Sequence, residues 1–430
     1  RKTAAEFFTQ PGWKAVDAVR NGRVYYFPCG LTCRTATQTG TFVGWLASRI
    51  YSRDFADPAK QVQPDGVLRS RPLELDLPYI RSARIAYSRI HDFTNKSLIV
   101  DLKPAMRVVS TLEGQRGNIR TVGNHYSPPP VWSISHEMGL AASRTGIYRV
   151  LGLKADETAF LFTGADMDNL SIQQRHFRGM TVYALVTAGV TSNAVRMSRD
   201  AGNYYEPGTI NILLFTNMRL TPRAMTRAVV SATEAKTAAL MDMDVRSSYL
   251  PRHRATGTGT DNVLVIEGAG TTIDNTGGHS KMGELIASAV YGGVQAAVFR
   301  QNGLLAQRSI FRRLKDRRIS IYGLVAGAAC DCDLAPSELG AAAESILLQP
   351  SYAGFMASAL ALSDAYQQGL VSDLAAFRKW ALDIAEEIAA RPIGSLKPII
   401  TSETIPAVEK TALNAIFNGI YHRAKEVPDQ

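Results

Sequence analysis

The apolar positions of this chain change rhythm along its length, and each change marks a different kind of element. The opening run Pro11-Gly-Trp-Lys-Ala-Val-Asp-Ala-Val-Arg-Asn-Gly-Arg-Val-Tyr-Tyr-Phe27 predicts a short helix, an Asn-Gly turn and a strand. A further helix is predicted from Gly40 to Tyr51, and the polar stretch Gln61 to Arg71 reads as a linker. From about Pro72 to Gly327, short β-rich runs alternate with helical ones. Strands are expected at Ser97–Leu102, Arg107–Thr111, Phe160–Thr163, Thr181–Ala188, Thr209–Phe215, Asn262–Ile266 and Ile319–Val325. Helices are expected at Ile134–Gly146, Ser171–His176, Pro222–Met241 and Ser280–Arg300. This mixing predicts an α/β or α+β fold, a mixed sheet core with packed helices. After Cys332 the composition shifts to Ala, Leu, Ser and Glu. Helix-spaced apolar residues over Pro336–Leu348, Tyr352–Gln368, Ser372–Ala390 and Pro406–Lys425 predict a C-terminal helical appendage, with Pro392 stopping the third helix. The expected organisation is therefore 1–60, 72–330 and 333–430.

Composition narrows the class. The 430 residues are 46% hydrophobic and 20% charged, which suits a globular protein of more than one domain. Apolar runs break at Gly, Thr or a charge within a dozen residues, short of a membrane span. Arg1 is neither an initiator Met nor the start of a signal peptide, so the chain reads as a processed product or a fragment. A net charge of +10 favours anionic partners. The densest basic cluster, Phe311 to Ile319, lacks interleaved aromatics or a reader motif, and reads as a solvated face rather than a nucleic-acid site. Cys29/Cys33 and Cys330/Cys332 are too few for a disulfide scaffold, and their spacing departs from that of zinc knuckles.

Several stretches carry candidate chemistry. Ser135-His-Glu-Met-Gly-Leu140 begins like a zinc-protease helix, but Leu140 stands where the second His is needed, leaving His136 and Glu137 as proton shuttle, ligand contact or helix start. Thr187-Ala-Gly-Val-Thr-Ser-Asn-Ala-Val-Arg196 offers Asn193 at a strand-to-turn junction, and Gly208-Thr-Ile-Asn-Ile-Leu-Leu-Phe-Thr-Asn217 offers Asn211 on a strand. On the helix opened by Thr221-Pro222, Glu234 lies beside Thr233 and Thr237. In Arg254-Ala-Thr-Gly-Thr-Gly-Thr-Asp261, alternating residues put Thr256, Thr258 and Thr260 on one side, while Gly257 and Gly259 let the backbone approach a ligand closely. Asp261 then orients a water or caps a turn. Ser280 is a natural N-cap, with Lys281 and Glu284 three apart on the following helix.

Taken in order, "TAGVTSNAVR", "GTINILLFTN", "TEAKTAAL", "ATGTGTD" and "KMGELIASAVY" resemble the adenosylcobinamide amidohydrolase family of cobamide salvage, over roughly Ser97 to Gly303. The resemblance implies cleavage of the amide joining the corrin ring to aminopropanol, with release of adenosylcobyric acid. It implies no required cofactor, since the cobalt-bearing corrinoid is the substrate. Where relatives often carry Thr-Lys before "GE", this chain has Ser280-Lys281, which keeps the hydroxyl. On this basis Asp261 or Glu234 is assigned as base, Lys281 as the charge-stabilising group, and Thr260, Thr258 or Ser280 as candidate nucleophile. Asn193, Asn211, Thr256, Gly257, Thr258, Gly259, Ser280, Glu284 and His136 are assigned to substrate binding. The segment Trp13–Phe27 resembles the C-terminal tail of periplasmic binding proteins for metal chelates and cobalamin. Together the resemblances imply a fusion of corrinoid capture with remodelling, and a corrinoid ABC transporter as a partner, while the C-terminal helices either pack on the core or form an interface with a second copy of the chain. They point to different compartments, one extracytoplasmic and one cytoplasmic.

Overall fold

The computed structural model describes residues 8–24, 39–51, 64–91, 93–201, 208–326 and 334–424. All four cysteines, and the strand expected through Tyr25–Phe27, lie outside these residues. Contacts divide the chain into two units. One comprises residues 1–71, 85–97 and 127–155, the other 72–84, 98–126 and 156–430.

The first unit holds the short helices α1 (Pro11–Lys14), α2 (Asp17–Arg20) and α3 (Thr39–Ile50), most of strand β1 (Gly66–Leu73), and the helix pair α4 (Pro129–Met138) and α5 (Leu140–Leu151). The single helix expected over Ile134–Gly146 is broken at Gly139, whose φ of 79° is incompatible with helical continuation. The supposed linker up to Arg71 instead enters β1, where the Arg69 guanidinium stacks 3.5 Å from the Tyr87 ring centre.

The second unit is built on a mixed sheet. After β2 (Ile80–Ile90) and the long β3 (Phe93–Ser110) come β4 (Gly114–Tyr126), β5 (Thr158–Thr163), β6 (Ser171–Phe177), β7 (Met180–Ala188), the two-residue β8 (Ala194–Val195) and β9 (Ile210–Thr216). They are followed by β10 (Arg219–Leu220), β11 (Gly257–Thr258), β12 (Asn262–Ile266) and β13 (Thr272–Ile273). In the sheet, β3, β12, β9, β7 and β6 lie side by side. The β12–β9 pair is parallel, and β12–β3, β9–β7 and β7–β6 are antiparallel. Ser171–His176, expected as helix, is the strand β6. Its polar Gln-Gln-Arg-His sequence hides an alternation that becomes legible only through register-matched pairing with β7 along all seven residues.

Helices α6 (Pro222–Asp242) and α7 (Lys281–Asn302) pack on each other and against this sheet. Ala224, Ala228, Ala232, Ala235 and Ala239 line the buried face of α6, so the helix settles close over Ile212, Leu214 and Val265. By length and composition α7 is long and apolar enough to cross a membrane, but 56% of its most apolar 18-residue stretch is buried in this core.

The helical appendage is present. After α8 (Ile310–Asp316) and α9 (Ile321–Val325) come α10 (Pro336–Leu347), α11 (Pro350–Gln367), α12 (Ala375–Ala389) and α13 (Ala407–Ala424). Ile319–Val325 was expected as a strand. Ser320 converts its end to helix by accepting the Gly323 N–H at 3.2 Å. The closest approach is at Gly419, where an added Cβ would meet Ile388 Cβ at 2.5 Å, so α12 and α13 cross nearly backbone to backbone.

A buried charge network fastens α11 to the loop that follows α6. Asp364 accepts two bonds from Arg246, at 2.6 and 2.7 Å, and further ones from Arg254 at 3.2 Å and Arg317 at 3.4 Å. Asp244 takes Arg246, Arg317 at 3.2 Å and Arg308 at 3.4 Å. Burial alone would raise the Asp244 carboxyl, but the surrounding charges of Arg246, Arg317, Arg313 and Arg308 hold it below the ordinary range. The basic cluster read as a solvated face is thus partly inward, since Arg317 is only 7% exposed.

Beside this network Glu409 on α13 is buried and accepts the Ser363 hydroxyl at 2.8 Å. Burial pushes its carboxyl up to about 7; the Ser363 bond and Arg317 charge oppose that shift, and Asp364 adds to it. The folded state therefore holds a proton that the unfolded state gives up near the ordinary glutamate value of 4.5. The Glu409 contribution is full below that value and is lost as pH rises toward 7, by about 3 kcal/mol at most. Buried His125 has the opposite sign, because burial pushes its pKa down to about 3 and its contribution is lost as pH falls below 6.5. The two offset each other in the native chain. Glu409→Gln should therefore gain stability over the native protein between pH 5 and 8, measured as the difference in urea midpoints at each pH. A difference that stays constant across that range would contradict the protonated Glu409.

Candidate functional site

The candidate site forms where α6 crosses the start of β12. Thr221 caps α6 by accepting the Ala224 N–H at 3.2 Å, with Pro222 at the first helical position, and this fixes where the helix begins. Four residues after Ala232 the alanine face is interrupted by Lys236, which is 8% exposed. An ammonium at that depth requires an anion. Asp261 supplies it, with Oδ2 at 2.5 Å from Nζ.

The Asp261 carboxylate is filled on both oxygens. Oδ2 also accepts the Thr258 N–H at 3.0 Å, while Oδ1 accepts the Thr258 hydroxyl at 2.6 Å and the Ile210 N–H at 3.0 Å. One carboxylate thus joins a helix, a turn and the first residue of β9. Gly257 lies directly against the ion pair: a Cβ there would sit 2.4 Å from Asp261 Oδ2 and 2.7 Å from Lys236 Nζ. No side chain fits. The turn is held from the other side by the β8–β11 ladder, Gly257 against Val195 and Thr258 against Ala194. The Thr237 hydroxyl donates to Thr256 O at 3.0 Å. At the turn's tip, Gly259 and Thr260 are exposed.

The other small polar residues extend inward from this turn. Thr209 donates to Thr260 O and, at 3.4 Å, to Asn211 Oδ1. Asn211 donates to Asn124 Oδ1 at 2.9 Å and to Phe162 O at 2.8 Å, and Asn124 donates to the Thr187 hydroxyl at 2.9 Å. Asn193 donates to Gly208 O at 2.9 Å and accepts the Tyr249 hydroxyl at 3.2 Å. Asn193 and Asn211 are both fully buried, so their amides brace the wall from behind.

The structure gathers Asp261, Thr256, Gly257, Thr258, Gly259, Thr260, Asn193 and Asn211 into one region. It does not bring Lys281, Ser280 or Glu284 there. Ser280 caps α7 by accepting the Gly283 N–H at 3.0 Å, and Lys281 pairs with Glu284 at 2.6 Å on the surface. Met282 meets Thr216 at the end of β9, whereas Asp261 bonds Ile210 at its beginning. The seven-residue strand separates the two by about 20 Å. Residues 267–280 carry the chain on from β12 to the start of α7, at the far end of the sheet. Glu234 is exposed and, two residues before Lys236, points about 200° around α6 from it. His136 lies on α4 in the other unit, with its side chain outside the described residues.

Lys236 was legible only as part of "TEAKTAAL". The available signal was its place, one turn after Ala232 and one before the Ala239–Leu240 pair, on a face otherwise made of alanine.

A family model described as adenosylcobinamide amidohydrolase matches residues 79–306, the stretch that carries the sequence resemblance. The chain is 39% identical over 225 residues to an uncharacterized protein of Methanocaldococcus jannaschii, covering 48% of this chain and 87% of that protein. Among solved structures, a Pyrococcus horikoshii protein is similar at 10% identity and a TM-score of 0.26, covering 55% of this chain and 84% of its own. The L-aminopeptidase D-Ala-esterase/amidase of Ochrobactrum anthropi is similar at 13% identity and a TM-score of 0.27, covering 58% and 90%.

Gly257→Ala should separate Lys236 from Asp261 and destabilise the protein by about 2–4 kcal/mol, read as a lowered urea midpoint. Gly117→Ala, where an added Cβ meets nothing within 4 Å, should stay within about 0.5 kcal/mol of the native protein. Equal effects of the two would count against the ion pair as the fastening of the turn.

Proposed function

Since the chain belongs to the adenosylcobinamide amidohydrolase family, we propose that it hydrolyses the amide joining aminopropanol to the corrin ring of adenosylcobinamide, releasing adenosylcobyric acid. One observation carries the assignment of the reaction to the Thr-Gly turn: the Thr258 hydroxyl, the Asp261 carboxylate and the Lys236 ammonium form one bonded line, with steps of 2.6 and 2.5 Å. Nucleophile against base, and base against an orienting charge, is the arrangement that amide cleavage needs. In this reading the cobalt belongs to the substrate.

The corrinoid amide approaches the exposed tip at Gly259 and Thr260. Thr258 Oγ1 attacks the amide carbon and its proton passes to Asp261 Oδ1. The carbonyl electron pair moves onto oxygen, and that oxyanion needs donors. The loosest N–H groups of the turn stand beside it: Gly259 N donates to Asn193 O at 3.3 Å, and Thr260 N to Thr258 Oγ1 at 3.4 Å. Bonds that long give up little when their donors, held in place by the turn, are shared with an oxyanion. Collapse of the tetrahedral species breaks the C–N bond, and the aminopropanol nitrogen leaves with the proton held by Asp261. Water then attacks the Thr258 ester through the same base, releasing the carboxylic acid and restoring the hydroxyl. Lys236 acts through Asp261 as a positioning residue.

Thr258→Val and Asp261→Asn should each slow aminopropanol release by about 10²–10⁴-fold, while Thr258→Ser stays within about tenfold of native turnover. Native turnover in Thr258→Val would remove that hydroxyl from the reaction. A shift in the corrinoid absorption spectrum with no aminopropanol formed by the native protein would make the chain a binding protein instead.

A further inference from the structure

Where the chain leaves β8 and before it enters β11, the structure forms a concavity whose lining includes Arg196, Arg199, Arg252, His253, Arg254 and Asp364. Its cavity volume is about 40 Å³, roughly three times the ~10–15 Å³ that one water fills by the same measure. That is room for a small oxyanion and far too little for a corrin ring. Its charge is strongly one-sided. Among the described residues, the Arg196, Arg199 and Arg252 side chains have no ion-pair partner. The lining carboxylate, Asp364, is already engaged by Arg246, Arg254 and Arg317. Arg199 and Arg252 are exposed and Arg196 half-buried, so their guanidiniums are accessible to solute.

The floor is fixed rather than loose. His253 Nδ1 lies 3.2 Å from Asp200 Oδ1, and the Asp200 side chain is 0% exposed. Asp200 Oδ2 in turn accepts the Arg196 N–H at 2.7 Å and the Ser247 hydroxyl. The Ser247 oxygen accepts the N–H groups of Tyr249 and Leu250, both at 3.1 Å. With Nδ1 donating to Asp200, Nε2 is left to accept the O–H of a hydrogen phosphate. Guanidinium forks without ion-pair partners beside a fixed histidine supply the donor chemistry that tetrahedral oxyanions take.

We propose that this pocket is a phosphate-binding site, taking either free inorganic phosphate or the phosphoryl group of a larger ligand. One wall, Asp364 on α11, lies outside residues 79–306. The site is therefore an addition that the C-terminal helices make to the family core, and it does not rest on the amide chemistry proposed for the turn.

The test is a titration of the full chain with inorganic phosphate at constant ionic strength, balanced with chloride, followed by ³¹P line broadening and by the His253 imidazole signals. Saturable binding with a shift at His253 is expected. Arg199→Ala and Arg252→Ala should each weaken it by about tenfold or more. Both positions are exposed, and circular dichroism of the variants confirms that they fold. A parallel titration with adenosine monophosphate separates the sources: tighter binding than phosphate identifies a phosphoryl group on a larger ligand, and equal or weaker binding identifies the free anion. No saturable binding of either above the chloride control, or binding unchanged in both variants, overturns the proposal.

Discussion

A lysine buried among alanines has to be neutralised by something, and in this fold nearly everything around the candidate site follows from how that is done. Lys236 reaches Asp261 because the chain turns sharply before β12, and it turns there because Gly257 leaves room for the ion pair. The same carboxylate also holds the first N–H of β9, so a charge interaction on the helix side sets how two parallel strands begin. Desolvating both ions costs several kcal/mol, which the pair recovers only through its full complement of hydrogen bonds. A turn held this way keeps its backbone N–H groups at fixed positions, and fixed donors are what stabilises charge that develops during a reaction.

The second charge system works differently. The Lys236–Asp261 pair is balanced one to one, whereas Asp244 and Asp364 face Arg246, Arg254, Arg308, Arg313 and Arg317. Backbone carbonyls take part of the excess; Arg308, for example, donates to Met243 O at 2.7 Å and Asp244 O at 2.8 Å. The first system organises a turn. The second holds α11 and, by neutralising Asp364, leaves the charge of the pocket beside it to Arg196, Arg199 and Arg252.

What the sequence made legible follows from what local pattern encodes. Asn262–Ile266 and Thr181–Ala188 contain the apolar runs Val263–Ile266 and Val182–Val186, and both are strands. The four C-terminal helices were readable from their periodic apolar faces. The edge strand β6 was not, because Gln173, Gln174, Arg175 and His176 satisfy no helix or strand template until β7 is placed beside them. β1 reads as linker because Arg69 and Arg71 break up its few apolar residues, and β2 and β4 show no clean alternation because Arg, Ser, Gly and Asn interrupt theirs. At the site, the Gly-Thr alternation reads either as a flexible loop or as a place where the backbone must approach closely, and Gly257 does approach closely. Lys281 looked equally apt. Nothing in its neighbours shows that seven residues of β9 lie between it and Asp261. The partner that does reach Asp261 stood among alanines, where a lone lysine reads as solvent-facing.

The position of Asp364 also limits how this chain can be cut. The region matched by the family model ends at residue 306, which makes a shortened form ending there the natural minimal enzyme to prepare. Such a piece would keep Arg246 and Arg254 but lose Asp364, α11 and the packing that excludes water around them. Arg246 is 7% exposed in the intact protein and would then face a surface with half its counter-charge gone. A workable minimal form therefore has to be redesigned at that surface, with Arg246 replaced by a neutral side chain, rather than simply terminated at the family boundary.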